Sequence, residues 1–177
     1  MRHVAAIGIG ANLPSRVGGP VETVLAAMDD LATVGRVLAR SSLYRTEPVG
    51  NAEQPAFVNA AAILETGLDP EGLLEFLLAT ERCYGRDRER DPPKGPRALD
   101  LDVLLIADRV IRSERLTVPH PALAKRRFVL APLAEIAPQW VHPELKKSVA
   151  ELQAALPDEG VNRPAAVQKI QQGQPVP

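Results

Sequence analysis

Between Gly95 and Ile106 the chain reads Gly-Pro-Arg-Ala-Leu-Asp-Leu-Asp-Val-Leu-Leu-Ile, an apolar run holding two carboxylates at a spacing of two. Side chains alternate faces along a strand, so Asp100 and Asp102 share a face, roughly 6.5–7 Å apart along the chain. Leu99, Leu101, Val103 and Leu105 are expected on the other face, pointing into a core. Two like charges side by side repel unless water or cations neutralise them, and hard oxygen ligands on a rigid element suit Mg²⁺. Arg97, on a Gly-Pro turn just upstream, adds a group that pairs with phosphate. A solvated edge face is the plainer reading of Asp-x-Asp in a strand. The alternating Leu and Val residues weigh against it, because a strand lying on a core turns its acidic face toward something enclosed or ligand-filled.

A chain of 177 residues favours one domain with a sizeable core. Hydrophobic content of 45% and charged content of 24% are globular values, which removes the disordered and collagen-like classes. A net charge of −1 gives no global positive field and argues against a dedicated nucleic-acid binder. Cys83 is the sole cysteine, so neither an internal disulfide nor a thiolate zinc cluster can form. The apolar run from Val4 to Ala11 is short and glycine-broken, a strand rather than a signal peptide, and no stretch is long enough to span a bilayer. A cytoplasmic protein without membrane contact is expected.

Along the chain, Val4 to Ile9 reads as a buried strand. Pro20 to Val34 has helical spacing, with Val21, Val24, Leu25, Met28 and Leu31 on one stripe and Gly35 as its stop. Arg36 to Tyr44 alternates as a strand, with Val37, Ala39, Ser41 and Leu43 on one face. Residues 45–55 form a loop, and Phe57 to Thr66 a strand. Asp69-Pro70-Glu71 opens a helix with a cap, a first-position proline and an acid in the first turn. Residues 86–96 are a polar, proline-broken loop. Val110-Ile111 reads as a short strand of a hairpin after Leu99 to Ile106, and Ala122 to Leu130 as a helix. Residues 1–160 are read as a single domain and 161–177 as a disordered tail. The mixture lacks a βαβα rhythm, which favours α+β.

Four further features bear on chemistry. Arg82, Arg86, Arg88, Arg90, Lys94 and Arg97 outnumber Asp87, Glu89 and Asp91, leaving a local +3 that could fold over a polyphosphate or simply stay solvated. Glu81 sits on the apolar stripe of its helix, at turn spacing from Leu74, Leu77 and Leu78, so it is either buried with a partner or reaches out at the helix end. Phe57 and Asn59 share a strand face, an aromatic beside an amide, which suits a flat heterocycle as well as an ordinary core. His120 is locked between Pro119 and Pro121 with Arg115 nearby. The chain has no P-loop, no complete dinucleotide fingerprint, no zinc spacing and no nucleophile elbow.

Taken together and in order, several segments resemble the 6-hydroxymethyl-7,8-dihydropterin pyrophosphokinase family. They are Ile9-Gly10-Ala11-Asn12-Leu13, the stretch from Ser41 to Gly50, Gln54 to Ala61, Gly95 to Asp102, Arg115 to Pro121 and Arg126 to Leu133. Three positions depart from the family's usual pattern: Pro93 and Lys94 before Gly-Pro-Arg, and Pro121 after the histidine. The resemblance implies an α+β fold, with a ferredoxin-like core in a three-layer αβα sandwich and a mainly antiparallel sheet. It implies transfer of pyrophosphate from ATP to the pterin hydroxymethyl group, releasing AMP, in folate biosynthesis. Asp100 and Asp102 would hold two Mg²⁺ ions and, with Arg86 and Arg97, form the catalytic group. Glu81, Arg86, Arg97, Arg115, Thr117, His120 and Arg126 would line the ATP site. Thr46, Pro48, Val49, Phe57, Asn59 and Phe128 would form the pterin pocket. The expected partners are these two small molecules, with no nucleic acid, acting on a monomer. Two rivals are a ferredoxin-like RNA- or nucleotide-binding module and a two-metal nucleotidyltransferase with another acceptor. The 3% aromatic content weighs against stacking several bases.

Overall fold

The computed structural model describes residues 2–48, 54–88, 90–91 and 95–156, and the backbone of 167–170. Strand β1 (His3–Ala11) runs through the middle of the sheet because its apolar residues are buried on both faces. After it come α1 (Pro20–Asp30), β2 (Gly35–Arg40), β3 (Leu43–Thr46), β4 (Phe57–Thr66), α2 (Pro70–Cys83) and β5 (Asp100–Ile106). The sheet order is β5-β1-β4-β3-β8, with β8 spanning Val167–Ile170 and β2 also on β4; every pairing is antiparallel. Helix α1 thus crosses from β1 to β2, and α2 from β4 to β5. These are the two interleaved βαβ units of a ferredoxin-like core.

Three layers result. Helices α1 and α2 seal one face, where Val24, Met28, Leu73 and Leu77 pack on Ile7, Ile9, Leu101 and Val103. On the opposite face α3 (Arg127–Ile136) and α4 (Val149–Ala154) bring Leu130, Leu133, Val149 and Leu152 onto Ala6, Ala61, Ile63 and Leu104. The expected α+β sandwich is therefore the observed one. Helix α2 starts where its signals lie: the Asp69 side chain accepts from Gly72 N at 2.7 Å, with Pro70 in the first turn.

Other expectations need correction. Helix α1 stops at Asp30 and tightens into a 3₁₀ turn at Leu31–Thr33, and Gly35 opens β2 instead of closing the helix. Leu25 is 40% exposed, off the buried stripe of Val24, Ala27 and Met28. The single strand expected from Arg36 to Tyr44 is two. Ser41 Oγ accepts from Ala61 N at 2.8 Å, standing in for a backbone acceptor, and one extra residue separates the pairs Arg40↔Ala62 and Tyr44↔Asn59. As a result Ala39 packs on the α3 side and Leu43 on the α1/α2 side.

Period two also fails near the end of β5. A register shift puts Ile7 opposite Val103 but Ala6 opposite Leu105, and Leu104 and Leu105 both join the α3-side core. Ile111–Arg112 forms a two-stranded ribbon with Thr117–Val118, not with β5. These strands are β6 and β7. Of the helix expected over 122–130, residues 127–130 are the start of α3, which carries Pro132 inside it, while Leu123–Lys125 forms a separate 3₁₀ turn. Val167–Ile170, within the segment expected to lack structure, pairs with β3.

Candidate active site

The two acids face α3 and look across bare backbone. Asp100 is opposite Gly10 and Asp102 opposite Gly8, so β1 offers no side chain beside either carboxylate. The shared face expected from the alternation is present, since Leu101 and Val103 go into the α1/α2 core.

The acids differ in what surrounds them. Asp100 is gripped by cations: Arg86 Nη1 donates to its Oδ1, Arg97 Nε lies 3.2 Å from Oδ2, and Arg88 Nη2 lies 3.8 Å away. Burial pushes its carboxyl up, but Arg97, Arg86 and Arg88 outweigh that and hold it below the usual range. Among the described residues, Asp102 has as ion-pair partners only Arg126 Nη1 at 3.8 Å and His120 Nε2 at 3.9 Å, beyond hydrogen-bond reach. Burial, with the negative charge of Asp100 next to it, raises its carboxyl to about 6. His120 itself is lowered by burial and by Arg126.

Glu81 is 1% exposed and takes the first of its two expected roles, buried with partners. Its carboxylate accepts from Arg88 Nε and Nη2, both at 2.7 Å, and from Leu101 N at 2.8 Å. That bidentate grip ties the end of α2 to β5 and fixes the Arg88 fork. Arg86 lies beneath Asp100, donating also to Leu99 O at 3.1 Å.

Each acid is linked to an aromatic ring through an arginine. The Arg97 guanidinium sits 5.1 Å from the centre of the Phe57 ring and also borders Asp100. The Arg126 guanidinium sits 5.8 Å from the centre of Phe128, in the first turn of α3, and also borders Asp102. Asn59 is buried beside Phe57's strand end, its Nδ2 donating to Thr46 Oγ1 at 2.7 Å. Asn12 stitches the surround: it accepts from Arg97 N at 2.7 Å and donates to Pro55 O at 3.0 Å. Pro48 is half-buried just after β3, whereas Val49, Pro93 and Lys94 lie outside the described residues.

A cleft of about 390 Å³ opens along the outer edge of β5. Asp102, Arg88, Arg115, Thr117, His120 and Pro121 contribute its polar and rim positions, and Leu74, Leu78 and Leu116 its apolar wall. Thus Asp102, Arg115, Thr117 and His120 line one cleft. Glu81, Arg86, Arg97 and Arg126 stand outside that wall, around the acids. Arg115 pairs with Glu75 of α2 at the surface. Arg90, exposed, pairs with Asp87. The sequence placed Arg88 in the basic stretch and Asn12 in a matching segment but gave neither a site role of its own, and it did not single out the leucine wall. The signal for Arg88 was Glu81, a carboxylate on an apolar stripe that needed a cation.

Two carboxylates on one face, one of them short of positive charge, suit a hard cation. Among the described residues no group of three or more His, Cys, Asp or Glu could hold a metal by protein ligands alone. Magnesium commonly completes such a shell with water and substrate phosphates.

The sequence matches the profile of a family described as 7,8-dihydro-6-hydroxymethylpterin-pyrophosphokinase over residues 6–138. A relative in Synechocystis sp., named 2-amino-4-hydroxy-6-hydroxymethyldihydropteridine pyrophosphokinase, is 41% identical over 85% of this chain and 74% of its own. One of the same name in Methylorubrum extorquens is 43% identical over 90% of this chain and 97% of its own. Among solved structures, a Plasmodium falciparum HPPK-DHPS triple mutant superposes with a TM-score of 0.68 at 15% identity. It matches 87% of this chain, which spans 43% of that longer protein, and at that identity the likeness speaks for the fold. No helix among the described residues is long and apolar enough to cross a membrane.

Proposed function

The chain belongs to the 7,8-dihydro-6-hydroxymethylpterin-pyrophosphokinase family, and from that premise we propose how its own residues divide the work. The reaction moves the pyrophosphoryl group of ATP to the hydroxymethyl oxygen of 6-hydroxymethyl-7,8-dihydropterin in folate biosynthesis. The new bond forms between that oxygen and the β-phosphorus. The bond from the β-phosphorus to the α–β bridging oxygen breaks, AMP leaves with that oxygen, and the hydroxyl proton is released.

Asp100 and Asp102 would hold two Mg²⁺ ions, which would supply charge neutralisation for the triphosphate and Lewis-acid polarisation of the transferred group. The cleft along β5 takes the nucleotide, with Leu74, Leu78 and Leu116 against the base and Arg88, Arg115, Thr117 and His120 toward the sugar and phosphates. Phe57, Phe128 and Asn59, with Thr46, hydrogen-bonded to Asn59, and Pro48, just after β3, take the pterin. Arg97 and Arg126 stand between ring and acid on either side, so one guanidinium can touch both ligands. They offset repulsion between the polyphosphate and the incoming oxygen. Arg97 and Arg86 keep Asp100 ionised, and Glu81 holds Arg88 in place. One chain supplies every group named, so catalysis needs no second copy.

The observation that carries this assignment is the pairing of each acid with an aromatic ring through one arginine. Incubation with ATP, Mg²⁺ and the hydroxymethyl dihydropterin should yield AMP and the pterin diphosphate in equal amounts. ADP as product, or turnover that persists in excess chelator, contradicts it.

A further inference from the structure

Gly10 stands between the two halves of the site. Its cross-strand neighbour on β4 is Asn59 and on β5 is Asp100. A Cβ at Gly10 would lie 2.7 Å from Asn59 Oδ1, closer than real Cβ atoms approach an oxygen. Among the described residues beyond its chain neighbours, the Asn59 carboxamide is all that such a Cβ would meet within 4 Å. The same carboxamide donates to Thr46 Oγ1 at 2.7 Å, and both residues are buried.

We propose that Gly10 is a positioning residue for acceptor recognition. Its missing side chain seats the Asn59 carboxamide and keeps open a lane across β1 to the phosphoryl group above Asp100 and Asp102. This rests on Phe57 and Asn59 being the pterin side of the site. Gly8, two residues earlier, does something different: a Cβ there would meet the flexible end of Leu104 at 3.2 Å, an apolar contact away from Asn59.

The obstacle at Gly10 is the tip of a side chain, not backbone, so Gly10→Ala moves the carboxamide and leaves the sheet standing. The Asn59–Thr46 bond is then lost, and with it the preset orientation that reads the pterin edge. Buried amides give selectivity only when their geometry is fixed in advance.

The test compares wild type, Gly10→Ala, Asn59→Ala and the double variant. Each is titrated with a non-hydrolysable ATP analogue and Mg²⁺, then with the pterin, and steady-state turnover is measured. Gly10→Ala should weaken pterin binding about 10–100-fold and raise its KM more than it lowers kcat, by the size of a lost buried hydrogen-bond set. Analogue affinity should be unchanged. The double variant should bind pterin no worse than Asn59→Ala, because the two changes remove one interaction. Wild-type pterin affinity in Gly10→Ala, or full additivity in the double variant, overturns the inference. So does a Gly10→Ala chain that fails to fold and is not restored by Asn59→Ala. A wild-type chain that does not bind the pterin overturns the acceptor assignment and this inference together, which separates the two failures.

Discussion

On its α1/α2 face the sheet presents Ile7, Ile9, Leu101 and Val103, each 4% exposed or less, to two amphipathic helices. On its α3 face the same strands present Gly8, Gly10, Asp100 and Asp102, and α3 covers only the far half, over Ala6, Ala61 and Leu104. The first face is an uninterrupted apolar seal. The second gives up part of its apolar cover to leave a floor without side chains beside two carboxylates. Alternation makes this division possible: one strand supplies core on one side and chemistry on the other. Removing a group from the sealed face should therefore cost stability, and removing one from the open face should cost turnover.

Four changes test that division, in order of expected size. Asp102→Ala should lower kcat by about 10³-fold or more, the scale of losing a metal or electrostatic stabiliser, while the melting temperature does not fall. Leu77→Ala, on the sealed face, should destabilise the chain by about 2–5 kcal/mol in denaturant titrations. Its folded fraction should keep wild-type KM values. Glu81→Gln crosses the divide, because Glu81 reaches from the sealed side to hold Arg88 and Leu101 N. It should raise the KM for ATP about tenfold, as expected for weakening a buried charge-assisted pair. Loss of folding with normal kinetics in the remainder would instead make Glu81 a purely structural residue. Ser148→Ala, which removes the capping box of α4, should cost only about 1 kcal/mol and no activity.

The two acids sharpen the contrast within the open face. Asp102 is raised from 3.8 to about 6 in the fold, so the ligand-free protein binds that proton more tightly than the unfolded chain does. The stability this adds is full below the unfolded value and is lost as pH rises through about 6. A cation needs the ionised form, so the thermal stabilisation by Mg²⁺ with an ATP analogue should grow between pH 5 and 7.5. In Asp102→Asn it should stay flat, and an equal pH response there would remove Asp102 from the explanation.

Elements with local signals were legible in the sequence. Strand β4 (Phe57–Thr66) and the start of α2 follow from an apolar run and an Asp-Pro cap. So does the shared face of Asp100 and Asp102. What failed depended on tertiary partners. The break at Ser41 exists because its Oγ finds Ala61 N on another strand. The shift at Leu104 depends on the register with β1. Helix α3 starts at Arg127 with no side-chain cap and carries Pro132 inside, so neither start nor stop rules apply. The Ser148-x-x-Glu151 capping box of α4 was a readable signal that went unused. Around the site, the alternating charges of residues 86–91 fitted either a loop folded over a polyphosphate or a solvated, self-neutralising one. Only the fold shows that Arg86 and Arg88 turn toward Glu81 and Asp100, while Arg90 stays at the surface.

The claim beneath all of this is that the two acids of β5 jointly hold divalent cations against a triphosphate. Titrating Mn²⁺ into the protein with a non-hydrolysable ATP analogue, followed by electron paramagnetic resonance, reads it directly. Wild type should bind two ions per chain, and Asp102→Asn should lose at least one of them. Equal stoichiometry and affinity in the two proteins would contradict the account.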